Sequence, residues 1–227
     1  MTYEPALWAA AATGAVMAYR MRWWKDFPES RLFTMAFGAL CAGYVLAIQP
    51  VAEGLNQISI DVTGSAIALL ASVLLGSIAF CAFAAVPLEI LTGSRYLGRY
   101  VGAAWAAASA IFVGCWIAGE ARHSKTLNSF AALDVPAEIF AITYAGLGIV
   151  TALTTVVATW RVLQRKDLRP KLRRAIRALF VSAVCLAGLA VTLLLNAFVL
   201  DLSSGSTQVI EQMWWLPMIA ALAVAGL

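Results

Sequence analysis

The sequence predicts an all-α protein, a polytopic bundle of seven transmembrane helices forming one domain over residues 1–227 with its N-terminus outside, and three observations predict it. Seven runs carry no charged residue: 5–19, 32–52, 62–88, 100–119, 139–160, 178–200 and 212–227. Most reach the ~20 residues that a helix needs to cross ~30 Å of hydrocarbon. The chain is 62% hydrophobic and 12% charged, with mean hydropathy +0.84, too apolar for the soluble core that 227 residues can enclose. Finally, fourteen of the sixteen Lys and Arg residues lie in alternate gaps between the runs. Basic residues are retained on the cytoplasmic side, so the first, third and fifth gaps are expected inside.

The first run, Pro5 to Tyr19, ends in Arg20, Arg22, Trp23, Trp24 and Lys25, cations and aromatics that suit a headgroup region. It lacks the basic flank that would precede a cleaved leader, so it is expected to be retained as a helix. The second run closes at Gln49-Pro50, and Glu53, Gly54, Asn56 and Asp61 read as an acidic outer loop. The third holds a late Pro87 before Glu89, predicting a tilt or kink, and Thr92-Gly93-Ser94 ends it. Small residues crowd the fourth, from Gly102 to Ala110 around Trp105, which predicts a central helix that neighbours approach closely. The outer gap from Glu120 to Glu138 carries Leu127, Phe130 and Leu133, enough for a short surface helix.

The fifth run ends at Trp160-Arg161, and Pro170, lacking an amide hydrogen, is placed in the first turn of the sixth helix. Asp201 and Ser203-Ser204-Gly205-Ser206 end that helix, and the seventh begins near Trp214-Trp215. From Gln212 to Leu227 a helix of ~1.5 Å rise per residue falls short of the hydrocarbon core, so the polypeptide is expected to continue, or its end to be held by another protein.

Chemistry is bounded by what is missing. The single histidine, His123, lies in an outer gap, and the four cysteines, Cys41, Cys81, Cys115 and Cys185, fall in four different runs, so neither a metal centre nor a disulfide framework is expected. Lys25, Lys125, Lys166 and Lys171 all lie between runs, leaving no lysine inside a helix for a retinal Schiff base. The chain contains no nucleophile elbow, phosphate loop or dinucleotide fingerprint. We expect no enzyme activity and no cofactor. Net charge +4 follows from membrane orientation, and without aromatic interleaving it does not indicate nucleic acid.

Two polar residues within runs or at their ends are ligand or ion candidates: Glu89, near Arg95 and Arg99, and Asn196. Gln49 and Tyr144 are weaker ones. Arg165, Lys166, Arg169, Lys171, Arg173, Arg174 and Arg177 form a basic face suited to anionic lipid headgroups or an acidic protein partner. The outer acids Glu4, Glu53, Asp61, Glu120, Asp134, Glu138, Asp201 and Glu211 outnumber Arg122 and Lys125 and would attract cations.

The stretch from Pro136 to Phe198, with Trp160-Arg161 closing one helix and Leu172-Arg173-Arg174-Ala175-Ile176-Arg177 leading into a helix containing Gly188, resembles a group of uncharacterised actinobacterial multi-helix membrane proteins. The first two helices and Pro50 are similar as well. Members are often labelled as candidate transporters and tend to be encoded beside helix-turn-helix regulators, and they usually continue into a cytoplasmic region. The resemblance implies a bacterial plasma membrane and carries over no functional residue. Three functions stay open: a module that senses or docks with a partner through its basic face, a small-solute or ion transporter, and a structural subunit or homo-oligomer.

Overall fold

A computed structural model describes residues 5–22, 31–93, 97–119, 122, 134–166, 168–195, 217–221 and 224. Seven helices fall among them: α1 (Pro5–Met21), α2 (Arg31–Ala47), α3 (Gln49–Thr63), α4 (Ala68–Thr92), α5 (Leu97–Ala118), α6 (Val135–Leu163) and α7 (Pro170–Leu195). No strand occurs among the described residues.

Among the described residues, three helices are long and apolar enough to cross a membrane: Ala68–Thr92, Val135–Leu163 and Pro170–Thr192. Phe33–Ala47 with Gln49–Thr63 makes a fourth if the pair, bent by 79°, counts as one span. The 17 residues of α1 and the apolar part of α5, Gly102–Ala118, are shorter. By length and composition the described residues thus hold three or four membrane-length helices where seven spans were expected. Most of the last run and the 123–133 stretch, where a short surface helix was expected, lie outside the described residues.

The boundaries follow from local chemistry. Pro50 could not continue α2, because its ring would meet the carbonyl of Leu46, so the chain breaks at Ile48 (φ −65°, ψ 123°) and Pro50 enters the first turn of α3. Gly64 (φ 71°) and Gly93 (φ 64°) take left-handed conformations that close α3 and α4, donating to the carbonyls of Ile60 and Glu89. Asp134 caps α6, its carboxylate accepting the Ala137 N–H at 2.8 Å, with Pro136 and Glu138 in the first turn. Pro170 opens α7, as expected from its missing donor. Although Pro87 removes one helical hydrogen bond, α4 runs through it to Thr92.

The acidic loop expected after Pro50 is instead the helix α3. Glycine and asparagine at 54 and 56 suggested turns, but α3 is needed to complete the start of α4. Buried Asn56 accepts the Ala68 N–H on Oδ1 at 2.9 Å, and Ser59 Oγ accepts from Ile67 N–H at 3.3 Å while donating to the carbonyl of Ser65. These are orphan donors at a helix start that α4 does not cap itself. The third span accordingly begins at Ala68 rather than at residue 62. We predict that Asn56→Leu, which strands the Ala68 amide in a buried site, lowers stability by about 2 kcal/mol, read as a fall in thermal midpoint in detergent.

The bundle is organised around α4, which packs against α2, α3, α5 and α6. It is apolar on all sides, as a helix buried by several neighbours must be. One core joins α1, α2, α4 and α7 through Phe33, Phe37, Leu40, Phe83 and Leu179, and Met218 and Ile219 insert into it. A second joins α4, α5 and α6 through Val73, Phe112, Trp116 and Phe140. Helix α5 was expected at the centre because of its small residues, but among the described helices it packs chiefly on α4 and α6 and leaves Gly102, Ala106, Ala110 and Gly114 exposed. Its large residues Phe112 and Trp116 make the contacts instead. The close approaches occur elsewhere: Gly14 on α1 lies over Cys41, Gly38 on α2 over Met17, and Gly43 on α2 against the backbone of Ser72 and Gly76.

Candidate functional site

Between α2, α4, α6 and α7 lies a cavity of about 130 Å³. Leu40, Val73, Phe80, Leu147, Leu186 and Leu189 supply most of its wall. It persists because glycine stands where a packed interface would carry a side chain. Gly76 is buried on α4, yet a methyl group placed on it would meet no atom within 4 Å. Gly43 and Gly148 also line the space, each with a neighbouring helix at its back: Ser72 at 3.3 Å and Ala190 at 3.4 Å from the position of a Cβ.

Five hydroxyl-bearing residues line it: Tyr44, Ser72, Ser77, Tyr144 and Thr151. Three have hydroxyl hydrogens already committed. Ser72 Oγ donates across the seam to the carbonyl of Gly43 at 3.0 Å, Ser77 Oγ to Leu74 at 2.9 Å, and Thr151 Oγ1 to Leu147 at 2.8 Å. Ser77 also accepts the indole N–H of Trp105 at 3.2 Å. A hydroxyl that has donated its one hydrogen retains oxygen lone pairs, so these groups present acceptors. From Thr151 a ladder continues along α6, with Thr155 donating to Thr151 and Thr159 to Thr155 at 2.7 and 2.6 Å. It faces Ser182 on α7, where a second void of about 20 Å³ lies between Phe80, Thr155 and Ser182. Back-bonding to its own helix is how a buried threonine satisfies its hydroxyl in an apolar bundle.

The basic candidates divide into two groups. Arg165, just beyond α6, donates to the carbonyls of Ile90 and Leu91 at 3.2 and 3.4 Å. A cation there satisfies groups left over at the end of α4 and complements the negative end of its dipole. Arg173 on α7 donates to the carbonyl of Arg165 at 3.1 Å, so one side chain steadies the other and the ends of α4, α6 and α7 are tied together. The Arg173 Nε is buried and has no hydrogen-bond partner among the described residues. Arg165 is itself exposed, as are Lys166, Arg169, Lys171, Arg174 and Arg177 around the same corner; what distinguishes Arg165 and Arg173 is their bonds to carbonyls of other segments. At the neighbouring helix end the Arg20 guanidinium lies 4.8 Å from the Phe33 ring centre, and its Nε donates to Thr34 at 3.4 Å.

The residues singled out from sequence do not converge. Glu89 is half-buried in the last turn of α4, about 13 Å along the helix from the cavity-lining Phe80. Arg95 and Asn196 lie outside the described residues. Gln49 donates to Glu53 at 2.9 Å on the exposed side of α3, and of the outer acids Glu53, Asp61 and Glu138 are exposed while Asp134 serves as a helix cap. Tyr144 alone lines the cavity. Sequence reasoning passed over Tyr44, Ser72, Ser77 and Thr151. A signal existed for the last of these, because Thr151, Thr155 and Thr159 recur every four residues and so share one helix face. No protein-family model matches the chain, and neither a curated protein nor a solved structure is similar to it.

Proposed function

We propose that this chain is a non-enzymatic multi-pass membrane module, with its N-terminus outside, that docks an acidic partner in a bacterial plasma membrane through its basic end. The observation carrying the reading is the division of labour among the basic residues. Arg165 and Arg173 hold the corner together, while Lys166, Arg169, Lys171, Arg174 and Arg177 stand exposed on it. Basic residues near an anionic surface contribute about 1 kcal/mol each, so this cluster suits salt-sensitive attachment to acidic protein or headgroups.

Two measurements test it. With Arg169→Cys in intact cells, an impermeant maleimide should label only after permeabilisation, and strong labelling from outside would reverse the orientation. The quadruple variant Lys166→Gln, Arg169→Gln, Lys171→Gln, Arg174→Gln leaves Arg165 and Arg173 in place, so the fold should survive. A partner copurified in mild detergent should be lost in this variant and at high salt, and equal recovery from both proteins would defeat the docking reading.

A second reading, a subunit of a larger assembly or homo-oligomer, is favoured by α5, whose exposed Gly102, Ala106, Ala110 and Gly114 would let another helix approach closely. Ala106→Leu should then shift the size of the detergent-solubilised particle.

A further inference from the structure

We infer that the cavity between α2, α4, α6 and α7 is a binding site for a small, neutral, largely apolar molecule about the size of one aromatic ring that carries a single hydrogen-bond donor, such as a phenol or a compact alcohol. Size sets the first limit. About 130 Å³ is close to the ~150 Å³ of an apolar cavity that accepts benzene, and well below the ~300 Å³ at which drug-sized pockets begin.

Wall chemistry sets the second limit. Among the described residues no charged side chain lines the space, so an ion would lose its hydration without compensation. Leu40, Val73, Phe80, Leu147 and Leu186 favour an apolar body over water. The third limit is the sense of the polar contact. Ser72 and Thr151 have given their hydrogens to Gly43 and Leu147, so what they can offer a guest is an oxygen that accepts. An O–H or N–H on the guest is satisfied at these two oxygens, whereas an ether or ketone oxygen placed against Ser72 and Thr151 would set oxygen against oxygen.

Gly76 gives the site its room. Helix interiors disfavour glycine, and here the missing side chain opens directly onto the cavity. A Cβ at 76 would meet no atom within 4 Å, so a valine there would project into the space that the guest occupies.

The site stands apart from the basic end, so its test is independent of any docking partner. The probe is 4-fluorophenol, followed by ¹⁹F NMR with the full chain in phosphatidylcholine nanodiscs and with empty nanodiscs as the partitioning control. A saturable, protein-dependent signal is expected. 4-Fluoroanisole, which lacks the donor, should bind about fivefold more weakly. Gly76→Val should abolish the saturable signal while keeping the thermal midpoint at or above that of the wild type. Should that variant fail to fold, Thr151→Val, which removes an acceptor at nearly constant shape, serves in its place and should bring 4-fluorophenol down to the affinity of 4-fluoroanisole. The inference is overturned if binding is no greater than to empty nanodiscs, if the anisole binds as tightly as the phenol, or if folded Gly76→Val or Thr151→Val binds the phenol as the wild type does.

Discussion

Phe37→Ala is expected to cost about 3–4 kcal/mol. Phe37 is 0% exposed, and its ring meets Phe33 and Phe83 edge-on at centroid distances of 5.2 and 5.1 Å. Phe33 and Phe83 also meet each other at 5.2 Å, so the three rings close a triangle that joins α2 to α4. Each aromatic pair contributes about 0.5–1.5 kcal/mol beyond its burial. Inside a lipid-facing bundle this matters more, because lipid tails are as apolar as the side chains and helix association rests on packing rather than on escape from water. Thermal unfolding in detergent, followed by tryptophan fluorescence, should show a large fall in midpoint for Phe37→Ala and a smaller one for Phe37→Leu. An unchanged midpoint for the alanine variant would mean that α2 and α4 are not held together at this triangle.

Gly43→Leu should be nearly as damaging, by about 3 kcal/mol, for the opposite reason of excess volume. A Cβ at 43 would lie 3.3 Å from the Ser72 carbonyl oxygen and 3.5 Å from the Gly76 nitrogen. Both are main-chain atoms of α4, so neither can rotate aside. The helices must separate, and the Ser72 Oγ bond to the Gly43 carbonyl breaks with them. Gly76, on the other side of the same seam, supplies the control, since a side chain there enters the cavity. Stability unaffected by Gly43→Leu, with the same midpoint as wild type, would contradict the close approach of the two helices.

The sequence by itself determined the helical class, the apolar runs and many of the ends. Pro50, Thr92-Gly93 and Pro170 each mark a boundary, because a missing amide hydrogen or a left-handed φ acts within a few residues of its own position. The concentration of arginine and lysine between the fifth and sixth runs was equally plain. Tertiary structure decided which of those cations brace another helix, since Arg165, although exposed, meets the carbonyls of Ile90 and Leu91, more than seventy residues away, which hydropathy does not register. It also turned Glu53 to Asp61 from an expected loop into part of α3, because Asn56 and Ser59 find partners at the start of a different helix. Small residues on α5 suggested a central helix, yet α4 occupies the centre, as its uniformly apolar surface allowed. The cavity is the clearest case. Glycine at 43 and glycine at 76 are equivalent as letters, but one faces backbone at contact distance and the other faces open space. Local chemistry fixes where a helix starts and stops, while which faces meet depends on segments distant in sequence approaching to within a few ångströms.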